Sequence, residues 1–231
     1  MIKLVSANIL VTESLFEHEK AKWEQNVNHA QKQFAKHRFI AIDKLLPSSQ
    51  MVAMKEFYSE YISQGFMEFG DEFVKRRYRQ YNEPLAMQFH KNFTRIMSKI
   101  VCSEIVPTYC YAASYREGAE LQPHTDRKQC EFSISLQVDY QPNQEDQSSP
   151  WNLNLAFPDK RFDMESAFSW DEFHSDSSLS KNTKAIKLKN GEGLFYKGRE
   201  LIHYRYSLPK NHNSTSLFFH YVSKDFKGDL G

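Results

Sequence analysis

Tyr115-Arg-Glu-Gly-Ala-Glu-Leu-Gln-Pro-His-Thr-Asp126 sets an imidazole and a carboxylate two residues apart, just ahead of Phe132-Ser-Ile-Ser-Leu-Gln-Val-Asp-Tyr140. In the second stretch Phe132, Ile134, Leu136, Val138 and Tyr140 fall on one face of an extended chain. This predicts a strand with one face on a core and the other polar or lining a wet cavity. Side chains at i and i+2 of an extended backbone point the same way. His124 and Asp126 can therefore address one metal ion from the mouth of a barrel, provided a second imidazole arrives from a distant strand.

Downstream, shorter strands are expected at Trp151 to Phe157, Ala185 to Lys189, Leu194 to Tyr196 and Ser216 to Val222, separated by turns. Upstream the period changes to that of a helix. Glu17 to Lys36 reads as a polar surface helix, and Phe39 to Asp43 as a strand. Leu45-Leu-Pro-Ser-Ser-Gln50 carries helix-start chemistry, followed by Met51, Met54, Tyr58, Tyr61 and Ile62 at helical spacing until Gly65. Pro84 opens another helix whose buried face is marked by Leu85, Phe89, Phe93, Ile96 and Ile100, with Pro107 closing it. The pattern predicts a single α+β domain over 1–231. Residues 1–106 form a mainly helical support, 107–223 a sandwich or jelly-roll core, and 158–182 a polar insert that acts as a lid or a surface excursion.

The third metal ligand is expected on a late strand. In Asn190-Gly-Glu-Gly-Leu-Phe-Tyr-Lys-Gly-Arg-Glu-Leu-Ile-His203 a glycine turn leads into an apolar strand, then a second glycine, then His203. His212 falls in a polar turn, where exposure is expected, and His220 lies among aromatics, where packing is expected. A second His-x-Asp, His174-Ser-Asp176, sits in the polar insert without strand periodicity and is set aside as a decoy. Two imidazoles and a carboxylate on one face of Fe(II) leave three positions open for a chelating cosubstrate and oxygen.

Tyr-x-x-Gly-x-x-Leu-x-x-His-x-Asp (Tyr115 to Asp126), the alternating strand behind it, Gly-x-Gly-Leu-Phe (Gly191 to Phe195) and His203 together resemble the Fe(II)- and 2-oxoglutarate-dependent oxygenases, most closely the prolyl-hydroxylase-like branch. The resemblance spans about residues 107 to 222. It implies a double-stranded β-helix (jelly-roll) core flanked by N-terminal helices, with His124, Asp126 and His203 as iron ligands and Tyr115 hydrogen-bonding the 2-oxoglutarate. It also implies a dioxygenase that uses Fe(II), 2-oxoglutarate and O2 to hydroxylate an unactivated C–H of an amino acid, a peptide or protein residue, or a small metabolite. Asp126 fills the position that related halogenases leave to halide, which disfavours halogenation and leaves desaturation or cyclisation open.

The family's usual basic residue downstream of the distal His is missing, because Asn213, Ser214, Thr215 and Ser216 stand there. Arg205 is the first substitute: two residues past His203 on a strand, it projects to the same side about 7 Å along and can grip a carboxylate with two hydrogen bonds. Lys210, Arg116 and Arg127 are the other cations, with Ser214 or Ser216 as hydroxyl partners. Without that basic residue, a cupin-like metalloenzyme that does not use 2-oxoglutarate and a non-catalytic ligand-binding barrel remain alternatives.

Thirty basic and 29 acidic residues leave a net charge of +1, which removes the broad positive field of a nucleic-acid or anionic-membrane binder. Lys75-Arg-Arg-Tyr-Arg79 is a local exception, read either as an anion clamp or as a solvated face. Cys102, Cys110 and Cys130 are an odd set without C-x-x-C spacing, so neither a disulfide framework nor a zinc-thiolate site is suggested. No stretch has the length of a membrane span, and Met1 to Val11 lack a secretory core. The expectation is a cytoplasmic protein whose partners are a small-molecule or peptidyl substrate, with no nucleic acid and no membrane. No heptad or large exposed stripe indicates an oligomeric state.

Overall fold

The structure, a computed structural model, describes residues 13–46, 48–159, 162 and 165–230. Met1 to Val11 and Pro47 of the expected helix start lie outside them. In chain order the elements are α1 (Glu13–His37), β1 (Phe39–Ile42), α2 (Ser48–Ser63), β2 (Glu68–Phe69), β3 (Arg77–Tyr81) and α3 (Pro84–Val101). Then come β4 (Ile105–Arg116), β5 (Leu121–His124), β6 (Phe132–Gln141), β7 (Leu153–Ala156), α4 (Trp170–Ser175), α5 (Ser177–Ser180), β8 (Thr183–Ile186), β9 (Gly193–Tyr196), β10 (Ile202–Arg205) and β11 (Asn213–Ser223).

The strands form two antiparallel sheets, ordered β1-β9-β6-β11-β4-β3-β2 and β5-β10-β7-β8. Alternation on β6 sorts its side chains as the sequence predicts. Phe132, Ile134, Leu136 and Val138 share a core with Leu217 and Phe219 of β11, Met54 and Tyr58 of α2, and Phe93 and Met97 of α3. The helices thus cover one face of the larger sheet. Ser133, Ser135 and Gln137 point the other way, into the barrel, and are fully buried.

Tyr140 departs from the expected face. Thr215 pairs with Asp139 but Ser216 with Gln137, so a bulge at Val138 inserts one residue into β6. Beyond a bulge the alternation inverts. Tyr140 therefore packs with Tyr115 and Trp151 rather than with the helices, and Asp139 turns to Lys55 of α2 at 3.0 Å.

Pro84 begins α3 as expected, behind an N-cap at Glu83, whose carboxylate accepts from Leu85 N and Ala86 N. Such a cap contributes about 1 kcal/mol. The C-terminal expectation needs correction: α3 stops at Val101 because Cys102 takes a left-handed φ of 54° and its N–H returns to Lys99 O. Pro107 lies inside β4 instead. Likewise Arg77 to Arg79 of the basic cluster belongs to β3, and Arg77 is buried against Asp71 at 2.6 Å. No helix among the described residues is long and apolar enough to cross a membrane.

Candidate metal centre and its cavity

His124 ends β5, and His203 sits directly opposite it on the neighbouring strand β10. Asp126 follows two residues after His124, where its N–H donates to Gly198 O at 2.9 Å. His203 Nε2 lies 3.3 Å and His124 Nε2 4.0 Å from the same oxygen, Asp126 Oδ1. Ligand-capable atoms of the three residues all fall within 4.8 Å of one another.

The surroundings orient each donor. His124 Nδ1 lies 2.8 Å from Gln122 O and His203 Nδ1 3.1 Å from Leu201 O. A carbonyl only accepts, so both rings carry a proton on Nδ1 and direct Nε2 toward Asp126, where His203 Nε2 donates to the carboxylate until a metal takes the place of that proton. Ser133 Oγ donates to Asp126 Oδ2 at 3.0 Å, leaving Oδ1 on the side of the imidazoles. Gly198 supplies the space: a Cβ there would stand 2.0 Å from Asp126 Oδ2.

Burial lowers the His124 pKa to about 4, so that ring is neutral and available as a ligand at neutral pH. Burial also disfavours charge on His203 and Asp126, but each is the other's counter-charge. Their attraction and hydrogen bond prevail, raising the histidine and lowering the carboxyl. A dication takes over that electrostatic role when it replaces the proton.

The donor set opens into a cavity of about 310 Å³ walled by Tyr109, Tyr111, Tyr115, Tyr196, Phe218 and Leu153, among others. The insert helps to enclose it. Thr125 N donates to Ser166 O, Phe168 N to Pro123 O, and Ala167 bridges His124, so this part of 158–182 runs along β5 and brings Glu165 and Ala167 to the cavity. Further on, Phe173 and Leu179 pack on Ile202 and Tyr204 of β10. Residues 160, 161, 163 and 164 of the insert lie outside the described residues.

Arg205 faces inward with 2% exposure, stacks over Trp151 at 4.6 Å, and donates to the Trp151 carbonyl. Burial lowers its pKa to about 10, and the groups that oppose this are the phenols Tyr115 and Tyr196 rather than a carboxylate. On β6 and β11, Ser135 Oγ, Ser216 Oγ and Gln137 Oε1 are buried without a hydrogen-bond partner among the described residues. A buried cation lacking an acidic partner among the described residues suits a small anionic ligand.

The other cations are placed differently. Arg116 lies beside Tyr78 and Ser114 and lines a separate cavity with Lys55 and Asp139. Lys210 is exposed in a turn. Arg127 is at the mouth, 3.9 Å from Glu165. Ser214 accepts from Gln137.

The decoy pair does not converge: His174 stacks on Trp170, and Asp176 caps α5. His212 is half-buried rather than exposed, because it bonds the Tyr140 hydroxyl that the β6 bulge turns toward it. His220 packs on Tyr109 as expected, at 4.7 Å, but its Nδ1 also meets Ser133 Oγ at 3.0 Å, which joins it to Asp126. Ser133, Gly198 and His220 were thus reachable in part from sequence, through alternation on β6 and the second glycine before His203. Their contact with Asp126 was not.

No protein-family model and no curated protein matches the sequence. Solved structures do. A Pseudomonas putida prolyl-4-hydroxylase is similar with a TM-score of 0.62 at 14% identity, over 86% of this chain and 99% of that one. The carbocyclase SnoK of nogalamycin biosynthesis, a non-heme α-ketoglutarate-dependent enzyme, gives 0.68 at 10%, over 88% and 86%. A Trichoplax adhaerens prolyl hydroxylase, in complex with a hypoxia-inducible-factor peptide, gives 0.64 at 14%, over 89% and 93%. The fold is that of the 2-oxoglutarate/Fe(II) oxygenases. Its double-stranded β-helix is the pair of sheets described above, and His124, Asp126 and His203 stand between them.

Proposed function

We propose that this chain is an Fe(II)- and 2-oxoglutarate-dependent oxygenase that hydroxylates a C–H bond of an amino acid, a peptidyl residue or a small metabolite. The observation that carries the reading is the convergence of His124, Asp126 and His203, with both Nδ1 protons engaged by backbone carbonyls and both Nε2 atoms turned to one carboxylate oxygen.

In this reading the three side chains hold iron, and Ser133 keeps the second Asp126 oxygen out of its way. Arg205 receives the distal carboxylate of 2-oxoglutarate, with Ser216 as a hydroxyl partner and Tyr115 hydrogen-bonding the cosubstrate. The bound metal and cosubstrate supply the oxidising chemistry that breaks the C–H bond. The chain binds and orients the substrate against them, and its tyrosine-rich wall keeps water from the reacting bond. Neighbours of this fold include an epimerase and a carbocyclase, so the fate of the substrate rests on its placement in the cavity.

Anaerobic addition of Fe(II) and then 2-oxoglutarate tests the reading. A weak visible charge-transfer band that needs both additions is expected. A cupin-like enzyme without 2-oxoglutarate, or a barrel without turnover chemistry, gives no such band.

A further inference from the structure

A second set of metal-capable atoms shares Asp126. Donor atoms of Asp126, Cys130 and His220 also lie within 4.8 Å of one another, and both Cys130 and His220 are buried. Asp126 comes from the loop after β5, Cys130 from the turn that precedes β6, and His220 from β11. One loop, between β5 and β6, and one distant strand therefore meet here.

The hydrogen bonds around this set suit ligation. Ser133 Oγ donates to Asp126 Oδ2, so it receives Nδ1–H of His220 and leaves Nε2 as the lone pair of that ring. Tyr109 Oη lies 3.1 Å from Cys130 Sγ, in position to donate to a thiolate. The backbone of His220 is fixed from both sides, its carbonyl lying 2.8 Å from His90 Nε2 and 3.0 Å from Thr108 Oγ1. Each donor thus has the supporting contact that orients metal ligands.

The donor chemistry differs from that of the first set. Sulfur is a soft donor that prefers zinc, and a thiolate, an imidazole and a carboxylate occupy three of the four tetrahedral positions zinc takes, with water in the fourth. We propose that Asp126, Cys130 and His220 form a second site, for a thiolate-preferring divalent ion of the zinc class, and that filling it withdraws Asp126 from the first. A zinc–sulfur bond forms as the thiol proton leaves to solvent, and no electron is transferred. The repulsion of two dications a few ångströms apart and the demand of each for the same carboxylate disfavour joint filling, so the two sites compete. The existence of the second site is independent of the proposed function; its inhibitory effect on iron loading rests on that reading.

Cobalt(II) separates the two sites by its spectrum. Titrated anaerobically into the metal-free full chain, it is expected to give a near-ultraviolet thiolate-to-cobalt band. Zn(II) should bleach that band, Cys130→Ser and Cys130→Ala should abolish it, and His124→Ala should retain it. Exposed Cys102 and Cys110, buried on the helix side, stay in place as internal controls. Absence of the band in the wild type, its survival in Cys130→Ser, or its loss in His124→Ala would each overturn the second site. A separate titration of the iron- and 2-oxoglutarate-loaded chain with Zn(II) should bleach the visible band at least about tenfold more readily in the wild type than in Cys130→Ser. Equal sensitivity overturns the inhibitory role. A visible band that never forms counts against the oxygenase reading and leaves the cobalt result standing.

Discussion

Replacing Gly198 by alanine adds one methyl group at the point where the Asp126 carboxylate rests. The new Cβ would stand 2.0 Å from Asp126 Oδ2 and 2.8 Å from Ser133 Oγ, whereas ordinary contact begins at 3.4 Å. The carboxylate must retreat by about 1.4 Å, which is most of a metal–oxygen bond of about 2.0–2.2 Å. Disturbing even a supporting contact of a metal ligand costs about 10–100-fold in affinity, and here the ligand itself moves. We expect Gly198→Ala to weaken Fe(II) binding at least about a hundredfold, equivalent to about 2.8 kcal/mol. Gly198 does not have a left-handed φ, so alanine introduces no backbone strain and the variant should still fold, its thermal midpoint lowered only by the displaced Asp126 contacts. Anaerobic calorimetric titration with Fe(II), paired with a melting curve, reads both quantities. A dissociation constant within about threefold of wild type, in a folded variant, would refute the placement of Asp126 on which the site is built.

Three further outcomes follow from the same geometry. Ser133→Ala removes the bond that holds Asp126 Oδ2 and should weaken Fe(II) binding by about 10–100-fold, as loss of a supporting contact does; unchanged affinity in the same titration contradicts the role given to Ser133. Arg205→Gln should weaken 2-oxoglutarate binding by at least about tenfold with Fe(II) affinity retained, and Arg205→Lys should recover part of it, because lysine restores the charge but not the fork; equal 2-oxoglutarate affinity in all three proteins would exclude Arg205 as the anchor. Burial on α3 lowers the His90 pKa to about 4, so its unfolded form binds a proton below about 6.5 before the folded form does. Stability should be complete above that value and fall by about 1.4 kcal/mol per pH unit toward pH 4. Denaturation curves of His90→Asn should be flatter over this window, and an identical slope would contradict the assignment.

How much of this was legible beforehand depends on the range of the interaction. The strand at Phe132 could be read because its alternation is local, and the His124, Asp126 and His203 set because residue type and spacing carry the metal chemistry. The inversion at Tyr140 could not, since a bulge is a property of how β6 pairs with β11 and leaves no mark on β6 alone. Strand β3 was obscured by its charges, which read as solvated until the ion pair of Arg77 with Asp71 accounts for them. His220 shows the same limit: its aromatic neighbours in sequence suggested packing, while its partner Ser133 lies 87 positions away. Local pattern thus reaches the ligands, and only tertiary contact reaches the residues that hold them.

Anomalous diffraction at the iron edge, from crystals of the chain loaded with Fe(II) without oxygen, addresses the metal centre itself. A single strong peak within bonding distance of His124 Nε2, His203 Nε2 and an Asp126 carboxylate oxygen is the result expected. Iron held by any other set of side chains, or imidazoles turned away from a common point, would contradict the account.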